Sequence, residues 1–176
     1  MTGNGTASDV YRLMAAVSKA AGRELDPEVW EDRQIMNHGC QILNRMGHLP
    51  RFEYDKNVYG PFSYELNDLF KSAGTVDADL CDIPAEDIDV LSTLLSKGLD
   101  FLMAYNTLIA AFGYSPNKSH EDIKDWIVSN EPEYGRFYDE AFEWLQEHRR
   151  ESSSLAIAIF QGSMWQYPPG FLSRYL

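Results

Sequence analysis

Tyr59-Gly60-Pro61-Phe62-Ser63 is the stretch on which the reading of this chain turns. Glycine before proline forces a sharp and rigid change of direction, because the ring of Pro61 restricts Gly60 and fixes its own φ near about −65°. Before the corner, Arg51-Phe52-Glu53-Tyr54-Asp55-Lys56-Asn57-Val58-Tyr59 alternates large apolar and charged residues. Phe52 and Tyr54 share one face if this piece is extended, and Asn57 offers a turn, so a short strand or hairpin is expected. After the corner, Ser63 can cap a helix with Glu65 and Asp68 near the positive end of its dipole. Leu66, Leu69 and Phe70 form that helix's apolar side, and Gly74 ends it. Tyr59 and Phe62 are thereby held at fixed angles beside a helix start. They either plug the core or form a rigid platform for a partner.

Helices flank this corner on both sides. Ser8 or Asp9 can cap a first helix in which Val10, Leu13, Met14, Val17 and Ala21 recur on one face before Gly22 stops it. Asp26 followed by Pro27 reads as an N-cap and first helical position, opening a second helix. Its apolar stripe is Val29, Met36, Cys40 and Leu43, flanked by Ile35, Ile42 and Met46, with Gly47 and Pro50 at its end. Gly39 inside it marks a close helix crossing.

Beyond the corner, Thr75 to Pro84 reads as an acidic loop. Pro84 then opens the longest helix, carrying Ile88, Leu91, Leu95, Leu99, Leu102, Tyr105, Ile109 and Phe112 to a stop at Gly113, with Gly98 as an interruption. Ser119 caps a helix through Ile123, Trp126, Ile127 and Val128. Asn130-Glu131-Pro132 resets the chain before an aromatic-rich helix from Tyr134 to Leu145. Ser154 to Phe160 is apolar, and periodicity does not separate buried helix from strand there. The expectation is a mainly α, compact multi-helix single domain over residues 1–176. It has a short β-hairpin or wing, in a winged-helix-like form, a disordered N-terminus over 1–7 and an aromatic C-terminal tail over 165–176.

Bulk properties narrow the function classes. At 176 residues the chain can bury roughly 70% of its unfolded surface. Its 44% hydrophobic and 13% aromatic content is that of an ordinary globular protein. The net charge is −12, and the fifteen Lys and Arg are scattered, with only Arg149-Arg150 adjacent. Nucleic-acid binders press basic side chains onto phosphates, so that partner class is disfavoured. Cys40 and Cys81 form no C-x-x-C pair, and no 18-residue apolar run or signal-peptide pattern is found, which predicts a cytoplasmic protein without membrane or disulfide scaffold.

Catalytic and metal motifs are missing. His38 and His48 lie ten residues apart and share no i, i+4 face, and His120 and His148 fall in polar segments. Surface or capping roles are expected for all four. There is no H-E-x-x-H, G-x-S-x-G, Walker-type loop or G-x-G-x-x-G. The acidic runs Asp77-Ala78-Asp79 and Glu86-Asp87-Ile88-Asp89 lack the calcium-loop pattern. No catalytic residue, metal or cofactor is predicted.

Phe52-Glu53-Tyr54, Tyr59-Gly60-Pro61-Phe62-Ser63 and Glu65-Leu66 together resemble the F-x-x-Y-x-Y-G-P-Y-S-x-E-L block of the YwgA-like proteins of bacteria and archaea. More distantly they resemble the Y-G-P region of the Panacea or SocA-like antitoxin domains. The resemblance spans about two-thirds of the chain. It departs at the second helix, where Arg33-Gln34-Ile35-Met36 replaces the K-L-x-Y-L opening, and at the tail. It implies a prokaryotic, non-enzymatic interaction or regulatory module, antitoxin-like or part of a defence or mobile-element system. On this reading Tyr59, Phe62, Glu65, Trp165, Tyr167 and Phe171 contact a protein partner, and the acidic surface suits a basic one. A homodimer or tail burial within one chain accounts equally for the aromatic excess. The alternatives are a winged-helix transcriptional regulator and a small enzyme, such as a nuclease, using His38 or His48 with nearby carboxylates.

Overall fold

A computed structural model describes residues 7–50, 52–57, 60–114 and 118–148. The order of elements is α1 (Ala7–Ala21), α2 (Trp30–Arg45), β1 (Asp55–Asn57), β2 (Gly60–Phe62), α3 (Tyr64–Ala73), a 3₁₀ turn (Ala78–Leu80), α4 (Ala85–Ser96), α5 (Leu99–Tyr114), α6 (His120–Asn130), α7 (Pro132–Gly135) and α8 (Tyr138–His148). The fold is mainly helical, as the periodicity predicts. Among the described residues, two strands form one antiparallel hairpin, pairing Asp55 with Phe62, Lys56 with Pro61 and Asn57 with Gly60. Phe52 and Tyr54 both point inward, as their alternation requires.

α2 and α5 are the central pair. α1 packs on α2, α4 and the 3₁₀ turn, while α5 touches α2, β2, α4, α6, α7 and α8. Leu13, Met14 and Val17 of α1 meet Met36, Cys40 and Leu43 of α2 in one continuous core. Gly39 permits their close approach, since a Cβ there would lie 2.7 Å from Val17 Cγ1. Burial pushes the Cys40 thiol well above its ordinary value, so it behaves as a small apolar side chain.

Several boundaries differ from expectation. α2 starts at Trp30 rather than Pro27, because Asp26 closes its own turn. The Asp26 carboxylate accepts from Glu28 N–H at 2.8 Å and its carbonyl accepts from Val29 N–H at 3.0 Å. Val29 is therefore exposed and leaves the predicted stripe. The predicted longest helix is two helices, divided at Gly98, whose φ of +96° no helix accommodates. α5 continues one residue past Gly113. The aromatic-rich helix is likewise two, a single turn opened by Pro132 and then α8. Ser63 and Ser119 do cap as predicted, Ser119 in a reciprocal capping box with Asp122. Ala7, placed in the predicted disordered stretch 1–7, lies inside α1; residues 1–6 and 149–176, which include the predicted aromatic tail, fall outside the described residues.

Candidate functional site

The corner is fastened to α2 by amide side chains. Asn37 Oδ1 accepts from Ser63 N–H at 2.7 Å, and Asn37 Nδ2 donates to Ser63 O at 3.1 Å, closing both backbone groups of that residue in the interior. Ser63 Oγ in turn accepts from Leu66 N–H at 3.3 Å and starts α3. Two turns further along α2, Asn44 Nδ2 donates to His48 O at 3.0 Å and Pro50 O at 2.6 Å. Its Oδ1 accepts from Tyr54 Oη at 3.1 Å and from Phe52 N–H at 3.4 Å. Gly60, with φ of +87°, lies against α5 and α2 so closely that a Cβ would sit 3.0 Å from Thr107 Oγ1 and 3.4 Å from His38 Cε1.

These contacts belong to a larger feature. Gln34, Asn37, His38, Gln41, Asn44 and Arg45 recur at three- and four-residue steps and make the polar face of α2. That face is buried, with none of the six more than 5% exposed. Across from it, Asn106 Nδ2 donates to His38 Nδ1 at 3.2 Å and to His38 O at 3.3 Å. Burial pushes the Tyr105 phenol up against the opposing pull of the Arg45 charge, and its ring is held edge-on by Trp144 at 5.2 Å. Among the described residues, no hydrogen-bond partner serves Gln41 Oε1 and Nε2, Tyr105 Oη, Asn106 Oδ1 or Thr107 Oγ1. Each such buried atom costs about 1–3 kcal/mol while unpaired.

The outer side of the corner is α3. Its buried side is Leu66 and Phe70, whereas Leu69, predicted with them, is 37% exposed. Tyr64 is 57% exposed, with its ring set edge-on against Phe62 at 5.3 Å. Glu65, Asp68 and Lys71 share this exposed arc. Phe62 itself is buried, 7% exposed. Glu65, the other predicted contact residue among those described, is exposed. Tyr59, Trp165, Tyr167 and Phe171 lie outside the described residues.

The histidines correct a second expectation. His38 is fully buried rather than at the surface or a cap, with its Nδ1 3.2 Å from Asn106 Nδ2. His48 Nε2 does meet a carboxylate, Asp87 Oδ2 at 2.8 Å, tying the end of α2 to the first turn of α4. His120, Tyr138 and Phe142 form a stacked aromatic cluster, with the His120 ring 3.8 Å from that of Phe142 and 5.3 Å from that of Tyr138. Among the described residues no group of three His, Cys, Asp or Glu side chains converges on a metal position. No described helix is long and apolar enough to cross a membrane.

No protein-family model, curated protein or solved structure matches this chain. The polar face of α2 was visible in the sequence only as the complement of its apolar stripe. An amphipathic helix ordinarily turns that complement to water, so its burial had no local signal. Tyr64 and Leu69 were missed because exposure on α3 depends on which of its sides packs against α2.

Proposed function

We propose that this chain is a non-enzymatic interaction module that binds and regulates another protein through the outward face of α3. The carrying observation is that face itself: exposed Tyr64 and Leu69 interleaved with Glu65 and Asp68, and Lys71 as its one cation. Aromatic and aliphatic anchors rimmed by charge are how protein interfaces gain energy and orientation. A partner with a basic surface suits these carboxylates and the overall charge of −12. The fastening of the corner by Asn37 and Asn44 supports rigid presentation, which lowers the entropic cost of binding. An antitoxin-like role in the cytoplasm, in the manner of the Panacea or SocA-like domains, is the form of this reading that the Y-G-P resemblance favours. A DNA-reading α3 is the weaker alternative, because two carboxylates against one lysine repel phosphate.

The test is affinity capture of the full chain from its own cells beside the double variant Tyr64→Ala/Glu65→Lys, with quantitative mass spectrometry. One basic protein recovered by the parent should fall at least about tenfold with the variant. Thermal stability should be unchanged, since both side chains are exposed. Equal recovery of that protein by parent and variant would refute the assignment to α3.

A further inference from the structure

We infer that the cavity where α1, α2 and α4 meet is a binding site for a small uncharged alcohol, a molecule with an apolar body and one hydroxyl group. The cavity holds about 260 Å³. An apolar cavity of roughly 150 Å³ already admits benzene, so a body of one ring or a short alkyl chain fits. Ala20 and Ala21, at the end of α1, line it with side chains too short to fill it. Ile35, Leu95 and Leu99 supply apolar wall from α2, α4 and the start of α5. Small-molecule sites are built in this way, from apolar walls and a few placed polar groups.

Two observations decide the polar end of the guest. The first is a hydroxyl left over on α4. Thr93 Oγ1 donates to Asp89 O at 2.8 Å and Ser96 Oγ donates to Thr93 O at 2.7 Å, so both are answered within the helix. Ser92 Oγ has no hydrogen-bond partner among the described residues, and Ser92 lines the cavity. A serine hydroxyl can donate and accept, and the hydroxyl of an alcohol can do the same in return. The second observation is charge. Arg23 also lines the cavity, but its guanidinium donates to both Asp32 oxygens and to Glu24 O. It therefore offers no uncompensated charge to an ionic guest, and taking a lone ion out of water is costly. An uncharged head suits these groups. The site shares no residue with the outward face of α3.

NMR titration of the full chain tests this, with benzyl alcohol and 1-hexanol as the two kinds of apolar body. Toluene, which lacks the hydroxyl, and benzoate, which brings a charge, are the controls. Saturable shifts at Ala21, Ser92 and Leu95 are expected with an alcohol, and binding at least about tenfold weaker with benzoate. Ser92→Ala should weaken the alcohol about fivefold and leave toluene unchanged, because only the alcohol loses a hydrogen bond. Ala21→Leu should abolish the saturable shifts, since the longer side chain occupies the cavity. A response to one alcohol alone assigns the ring or the chain. The proposal fails if neither alcohol saturates, if benzoate binds as tightly as benzyl alcohol, or if Ser92→Ala binds the alcohols as the parent does. If Ala21→Leu does not fold, Ser92→Ala still decides.

Discussion

At the scale of residues, two positions carry the corner. Gly60 combines φ of +87° with close approach to Thr107 and His38. A side chain there meets both the left-handed backbone penalty and a crowded interior, so Gly60→Ala should cost about 2–4 kcal/mol in urea unfolding. Asn37 answers two buried backbone groups of Ser63 at once. Asn37→Leu fits the space but leaves both groups without a partner, and a loss of about 2–4 kcal/mol is expected by the same measurement. Parent-like stability in either variant would mean that the corner is fastened elsewhere. The need for glycine before proline was legible from residue chemistry. The identity of Asn37 as the fastener was not, because it lies 26 positions from its partner.

At the scale of elements, caps and stops were read well and the sides that helices bury were read less well. Ser63 and Ser119 cap because a hydroxyl oxygen answering a free N–H is a local event. Asp26 also acts locally, but it closes a turn that competes with a cap and delays α2 to Trp30. The α4–α5 break depends on Gly98, at φ of +96°. Gly98→Ala should cost about 1–2 kcal/mol and lower the thermal midpoint by roughly 2–8 °C in a calorimetric scan. An unchanged midpoint would show that the two helices fuse without strain.

At the scale of the whole molecule, the ion pairs differ greatly in weight. Those joining Arg12 to Asp82, Lys124 to Asp139 and Arg136 to Asp100 are exposed and contribute little. Asp32 is different: its side chain is 4% exposed and is gripped by two Arg23 nitrogens and by Asp26 N–H at 2.9 Å. The Arg23 bonds, outweighing desolvation, hold its carboxyl below the ordinary aspartate value of 3.8. A depressed folded-state value stabilises the protein above the unfolded-state value, and that stability is lost as pH falls through the folded-state one. Unfolding free energy should therefore drop below about pH 4, and Asp32→Asn should flatten that acid slope in a pH series of urea melts. Identical slopes in parent and variant would remove Asp32 from the acid transition.

By itself the sequence determined a mainly helical chain, its principal caps, the hairpin and the rigid corner, because each follows from spacing, turn chemistry or backbone restriction within a few residues. Only the tertiary structure decided that Phe62 plugs the core while Tyr64 faces outward, that Leu69 is exposed, and that the polar face of α2 is enclosed. Those outcomes depend on which elements cover which sides. A helix shows the same stripe whether its polar side meets water or Asn106 of a neighbouring helix, and only the packed chain distinguishes the two.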